Sequence, residues 1–226
     1  MKHIVVLTGA GMSAESGLKT FREADGLWEG HDVTAVASPQ GFISNPTLVL
    51  DFYNQRRRQL LSVKPNSGHF DLAQLEKYYK VSIITQNIDD LHERAGSTNV
   101  IHLHGEVLKV RSTFDENDIQ TWKKDLLLGD TCKKGYQLRP HIVWFGEAVP
   151  MIEKAINVCS TADILVIIGT SMKVYPAASL IHYVPENTQT YFIDPKPALE
   201  TKKNLNVIAE TATQGVKKLF EILKFQ

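Results

Sequence analysis

Ile4-Val5-Val6-Leu7-Thr8-Gly9-Ala10-Gly11-Met12-Ser13-Ala14-Glu15-Ser16-Gly17 is the stretch on which the reading of this chain turns. Four apolar, mostly β-branched residues predict a buried strand. The strand breaks on Gly9-Ala10-Gly11, and Ser13 is placed to offer its hydroxyl as N-cap of a short helix. Gly9, Gly11 and Ala14 fit a G-x-G-x-x-A pattern. Small residues at that spacing let backbone N–H groups approach a pyrophosphate at a helix N-terminus. A glycine after a strand is more often only a turn. Strand, glycines and cap in this order favour the nucleotide.

An ordinary dinucleotide unit places a second strand, ending in an acidic residue, about 20 residues later. Here Leu18 to Arg58 has no strand pattern, and the next candidate is Val81 to Gln86. The first crossover therefore carries a long insertion. The chain is not an ordinary dehydrogenase.

Its 226 residues suffice for one large domain, and 43% hydrophobic with 22% charged residues describes a globular protein. Basic and acidic residues balance at 25 each, so no net field draws nucleic acid or an anionic membrane. No apolar run approaches the roughly 20 residues needed to span a bilayer. Cys132 and Cys159 fit a reducing compartment. With the first strand so close to Met1, a cytoplasmic protein is expected, and a monomer.

Leu18 to Trp28 mixes bulky and charged residues without period, as a loop that folds over a ligand or one anchored by Phe21 and Trp28. Asn45-Pro46 opens a helix whose Val49, Phe52, Tyr53, Arg56 and Leu60 share a face. Arg56 in that apolar stripe needs a partner. With Tyr53 one turn away it could grip a carboxylate, or it could snorkel or pair with an internal acid. Asn66 to Tyr79 reads as a helix with Leu72, Leu75 and Tyr79 inward.

The strand Val81 to Thr85 ends in Gln86-Asn87-Ile88-Asp89-Asp90, where ligands bind in α/β sheets. Asn99 to Glu106 gives a further strand ending in His104-Gly105, and His104 is a candidate general base. Glu106 to Pro140 has the texture of an inserted module, and His141 to Glu147 returns to strand character. Ile152, Ala155, Ile156 and Cys159 form a helical core stripe. Asp163 to Ile168 is an apolar strand ending in Gly169-Thr170-Ser171, and Thr190 to Ile193 ends in Asp194-Pro195. A last helix turns Val216, Leu219, Phe220 and Leu223 inward. Such alternation predicts a doubly wound parallel α/β sheet.

With these pieces in order the whole chain resembles the sirtuins, the NAD-dependent protein-lysine deacylases. The resemblance rests on Gly9 to Gly17, Thr20-Phe21-Arg22, Gln86-Asn87-Ile88-Asp89, His104-Gly105, Val143-Trp144-Phe145-Gly146-Glu147 and Gly169-Thr170-Ser171. It implies one Rossmann-like catalytic core over 1–226, with insertions at about 23–64 and 107–140 forming a small helical module. It implies that an acyl-lysine and NAD become lysine, nicotinamide and an O-acyl-ADP-ribose. His104 matches the family's general base, and Asn87 and Asp89 match residues holding the nicotinamide ribose and carboxamide, with Gln86 beside them. Gly9, Ala10, Gly11, Ser13, Thr20, Phe21 and Arg22 match the phosphate and flexible-loop positions. Gly169, Thr170, Ser171, Asp194 and Ala212 fall on the adenosine side. Val143, Trp144, Phe145, Gly146 and Glu147 would take the substrate peptide by strand addition.

The chain also looks like the subgroup that prefers succinyl, malonyl or glutaryl lysine, in which a Tyr-x-x-Arg pair binds the distal carboxylate. Tyr53 and Arg56 match that pair, and a small Ala37 leaves the pocket roomy. Most family members hold a structural zinc through two Cys-x-x-Cys pairs. Between Glu106 and Pro140 this chain has only Cys132, with Ser112 where the first pair would begin, so no structural zinc is expected. Packing by Phe114, Ile119, Trp122, Leu126, Leu127, Leu128 and Tyr136 is expected in its place. The rival readings are a plain deacetylase, a mono-ADP-ribosyltransferase and a silent NAD sensor.

Overall fold

The computed structural model describes residues 1–19, 27–28, 30–197 and 200–224. The chain opens with β1 (His3–Thr8) and a one-turn helix α1 (Gly11–Ala14). A short hairpin of β2 (Leu27–Trp28) and β3 (His31–Asp32) precedes α2 (Val33–Val36), α3 (Pro39–Ser44) and α4 (Pro46–Ser62). Next come α5 (Ser67–Leu75), β4 (Lys80–Thr85), α6 (Leu91–Arg94) and β5 (Val100–His102). A small module contributes β6 (Gly105–Ser112), β7 (Ile119–Thr121) and β8 (Leu138–Ile142). The chain finishes with α7 (Ile152–Cys159), β9 (Ile164–Ile168), a 3-10 turn (Ala177–Tyr183), β10 (Gln189–Ile193), β11 (Leu205–Ile208) and α8 (Ala212–Leu223).

The main sheet has six strands in the order β11-β10-β9-β1-β4-β5, and each neighbouring pair is parallel. Counted along the chain this is 3-2-1-4-5-6, the doubly wound dinucleotide-binding order. Every residue of β1 is buried. Strand alternation sends Ile4 and Val6 into the core beneath α5 and α8. Val5 and Leu7 go to the opposite core, with Ala155 and Cys159 of α7 and Leu180 of the 3-10 turn. Burial of this kind on both faces explains why the sequence reads as a continuous apolar run.

α4 belongs to the first insertion and packs against α2, α3 and the strands β6 and β8 of the second. Asn45 Oδ1 accepts from the Leu48 N–H at 3.1 Å, and Pro46 occupies the first turn. The inner face buries Val49, Phe52, Tyr53 and Leu60 as the spacing predicts. Arg57 is only 1% exposed and escaped the sequence reading. Its Nε donates to the Val107 carbonyl at 3.0 Å and its Nη1 to Asn54 Oδ1 at 2.6 Å. Asn54 in turn bonds both the N–H and the carbonyl of Leu126. Burial pulls the Arg57 pKa down to about 10.

Five expectations need correction. The second insertion is not helical: it is an antiparallel sheet in the order β7-β6-β8. Against it Leu50 of α4 meets Val110, Leu126, Cys132 and Leu138, with Trp122 partly buried. Phe114, Ile119, Leu127, Leu128 and Tyr136 lie outside that cluster and are exposed. Phe114 and Tyr136 instead stack on each other, centroids 4.3 Å apart. The strand expected at His141–Glu147 ends at Ile142, and the helix expected to reach Tyr79 ends at Leu75. Ser13 is not an N-cap, because α1 starts from Ala10 and Ser13 lies inside the turn.

Candidate active site

The sheet reverses its winding between β1 and β9, where the loops leaving both strands meet backbone to backbone. The Gly9 N–H donates to the Ile168 carbonyl at 3.0 Å, and the Gly11 N–H to the Gly169 carbonyl at 2.9 Å. A Cβ on Gly11 would lie 2.6 Å from the Gly169 Cα, and Gly169 has φ +59°. Both residues must be glycine for the loops to touch. The glycines thus serve this contact as well as any approach to phosphate.

Ser13 reaches sideways from α1. Its Oγ donates to Asp89 Oδ2 at 2.9 Å and accepts from Asn87 Nδ2 at 3.2 Å. Asn87 Nδ2 also donates to the Gly9 carbonyl at 3.1 Å. Gln86 Nε2 bridges to Thr170 Oγ1 at 3.0 Å. Burial raises the Asp89 pKa, against bonds from Ser13 and the Leu91 N–H that favour the charged form. These bonds draw the ends of β1, β4 and β9 into one polar cluster.

His104 follows β5, with its Nδ1 3.0 Å from the Gln86 carbonyl. A carbonyl only accepts, so Nδ1 carries the hydrogen and Nε2 holds the basic lone pair. Burial lowers the His104 pKa, partly countered by that carbonyl. At neutral pH the ring is an unprotonated base with a fixed tautomer.

One cavity of about 550 Å³ joins these groups. Toward one end its lining includes Gly9, Ala10, Gly11 and Ser13, then Gly169, Thr170 and Ser171, with Asp194 and Ala212 beyond. Gln86, Asn87, Asp89 and His104 stand in the middle. At the other end are Ala37, Tyr53 and Arg56, with Val143 to Glu147. Thr20, Phe21 and Arg22 lie outside the described residues. Sequence reasoning missed Glu15, Ile88, Gln59 and Tyr175, which also line the cavity. Glu15 accepts from Thr211 Oγ1 and from the Thr213 N–H and hydroxyl, so it caps α8 from the first loop. No local pattern announces a cap supplied from the other end of the chain.

Residues 9–176 match the Sir2 family. The chain belongs to that family. It is 58% identical over 220 residues to an NAD-dependent protein deacylase of Helicobacter pylori, covering 97% of this chain and 96% of that one. A protein of the same name from Bacteroides thetaiotaomicron is 53% identical over 230 residues, covering 99% and 98%. A crystal structure of a Sir2 homologue–NAD complex superposes with TM-score 0.87 at 37% identity, covering 99% of this chain and 90% of the other. A structure of Sir2 with p53 peptide and NAD+ gives TM-score 0.79 at 29% identity, covering 99% and 94%.

In this Sir2 family chain the 143–147 segment is tied down. Glu147 accepts from Arg139 Nη1 at 2.6 Å, Arg139 Nη2 at 3.1 Å and the Trp144 N–H at 2.8 Å. The Arg139 guanidinium sits 3.4 Å above the Trp144 ring. Burial works to raise the Glu147 pKa, but the Arg139 and Trp144 bonds outweigh it and hold the group ionised. The N–H of Val143 donates to the His104 carbonyl and that of Phe145 to the Ala37 carbonyl. The Trp144 and Glu147 N–H groups are also bonded internally.

The zinc that the family implies does not match the donor set of the small module. Cys132 Sγ accepts from Ser112 Oγ at 3.4 Å. Among the described residues, no cluster of three or more His, Cys, Asp or Glu ligand atoms includes Cys132. A tetrahedral structural site needs four such ligands.

Proposed function

We propose that this Sir2 family protein is an NAD-dependent protein-lysine deacylase that prefers acidic acyl groups: succinyl, malonyl and glutaryl. The observation that carries the preference is a cation and a phenol at the acyl end of the cavity. Arg56 Nη1 donates to the Phe52 carbonyl at 2.9 Å, and its guanidinium lies 3.9 Å from the Phe52 ring centroid. Tyr53 is fully buried beside it and accepts from Trp144 Nε1. A guanidinium already held in place loses little side-chain entropy when it grips a carboxylate.

NAD, when bound, supplies an electrophilic ribose carbon and the nicotinamide leaving group. The loops at Gly9–Gly11 and Gly169–Ser171, with Asp194 and Ala212, would hold the phosphates and adenosine. Asn87 and Asp89, braced by Ser13, would orient the nicotinamide ribose and carboxamide. His104 Nε2 would accept a proton from a ribose hydroxyl of bound NAD, and the Gln86 carbonyl would hold the ring oriented through Nδ1–H. The small module folds on its own packing without a structural metal.

A hydrogen bond to a charged group contributes about 1.5–3 kcal/mol, or roughly tenfold to a hundredfold in preference. The test compares kcat/KM on one peptide carrying succinyl-, malonyl- or acetyl-lysine, for wild type and Arg56→Met. The proposal expects the acidic groups to win in the wild type and to lose that advantage in the variant. If acetyl-lysine wins in both, the protein is a plain deacetylase. Label transferred to protein, or NAD binding without nicotinamide release, would replace deacylation with ADP-ribosyl transfer or sensing.

A further inference from the structure

His102 is the last residue of β5, and its side chain is 10% exposed. Its Nδ1 lies 3.3 Å from the Asn87 carbonyl and its Nε2 lies 2.7 Å from Glu93 Oε1 on α6. A carbonyl and a carboxylate both accept. Satisfying both requires a hydrogen on each ring nitrogen, which makes the ring an imidazolium. A neutral ring has one hydrogen and can serve only one of the two partners.

The surroundings agree with the charge. Burial acts to lower the His102 pKa, but the bond and charge of Glu93, the charge of Glu106 and the Asn87 carbonyl outweigh it, and the net shift is upward. Glu106 on β6 is itself paired with Lys109. His92, also on α6, is held neutral by burial, with His69 and His102 adding to the effect. Asp89, two residues from Asn87, feels the His102 charge as stabilisation of its carboxylate. The side chain of Asn87 is fixed from the opposite direction by Gly9 and Ser13.

We propose that His102, as an imidazolium, is a positioning residue for this enzyme: it ties the backbone of Asn87 to Glu93 and places positive charge behind Asp89. The proposal rests on the reading of Asn87 and Asp89 as NAD-contacting groups. His102 touches neither substrate in this scheme and acts through those two residues. Losing its proton releases either the Asn87 carbonyl or Glu93. NAD binding then weakens as pH rises through the His102 pKa.

The experiment pairs imidazole nitrogen NMR with calorimetric NAD binding across pH, on the full chain, for wild type, Glu93→Gln and His102→Gln. In the wild type the His102 midpoint is expected above 6.5, with both ring nitrogens protonated below that midpoint. Glu93→Gln, a change at a half-exposed carboxylate, is expected to lower that midpoint and to move the alkaline loss of NAD affinity by the same amount. His102→Gln is expected to weaken NAD binding about tenfold, the size of one hydrogen bond to a charged group, and to abolish that limb. A His102 midpoint at or below 6.5, or an alkaline limb in the same place in wild type and Glu93→Gln, overturns the proposal. If NAD binds but no acyl-peptide is turned over, the deacylase reading fails while the binding data still decide the role of His102.

Discussion

The indole Nε1 of Trp144 donates to the phenol oxygen of Tyr53 across 3.0 Å, joining the loop after β8 to α4. The indole has only a donor to give, so it occupies a lone pair of the phenol and leaves the O–H hydrogen to turn elsewhere. A carboxylate arriving beside Arg56 would meet that hydrogen. Trp144→Phe keeps a ring under Arg139 but deletes the donor. It is expected to lower kcat/KM for succinyl-lysine peptide by about fivefold, from a hydrogen bond worth about 1 kcal/mol. Acetyl-lysine turnover should change much less. Parallel loss on both peptides would separate Tyr53 from acyl choice.

As the proposed general base, His104 is expected to set the acid side of the rate profile. Burial lowers its pKa, and the working form is the unprotonated one. Activity is therefore retained as pH falls through 6.5 and lost only below it. A plot of kcat/KM against pH is expected to show an acid limb centred under 6.5. His104→Ala should cost a hundredfold or more, a typical contribution from a general base. A limb centred above 6.5 would contradict this assignment.

His69 makes the fold acid-sensitive. It is fully buried, and burial pulls its pKa down to about 4. Its Nδ1 accepts from the Asn66 N–H in the capping box of α5. The unfolded chain binds this proton near pH 6.5 and the folded chain does not, so the stabilising effect is complete above 6.5. It is lost as pH falls from 6.5 towards 4, by roughly 3 kcal/mol at most. His69→Gln keeps a capping side chain at that helix position. Its Tm should fall less steeply than the wild type's across that window.

Chelation tests the small module. Treatment with EDTA is expected to leave Tm unchanged, and elemental analysis should find no stoichiometric zinc bound to Cys132. A large Tm drop on chelation would show that a metal holds β6, β7 and β8 together.

Much of this architecture is legible in the sequence because strands buried on both faces are written as unbroken apolar runs. Ile4 to Leu7 and Ile164 to Ile168 are such runs, and the loops just past them, Gly9 to Gly11 and Gly169 to Ser171, line the cavity. The small module was harder to read. Its strands bury charged residues such as Arg111 and Arg139, and the apolar residues in its turns, Leu127 and Leu128 among them, carry no sign that they face solvent. β11 escaped because Leu205-Asn206-Val207-Ile208 is short and lies at the sheet edge. Arg57 escaped because adjacent arginines on a helix look alike until the carbonyl that receives one of them is placed. The Tyr53–Arg56 spacing was visible. The Trp144 donor that orients Tyr53 lies 91 residues away and was not.

The meeting of Gly11 and Gly169 also bears on how this chain can change over generations. Each occupies the space that a methyl group on the other would need. Most clashes in a packed interior can be relieved by shrinking the neighbour. Here the neighbour is already the smallest residue, so a substitution at either position has no second-site suppressor at its partner. Relief must come from moving the backbone of β1 or β9, which shifts the ends of both halves of the sheet together. Random mutagenesis with selection for activity should recover varied residues around the acyl end of the cavity and none but glycine at these two positions.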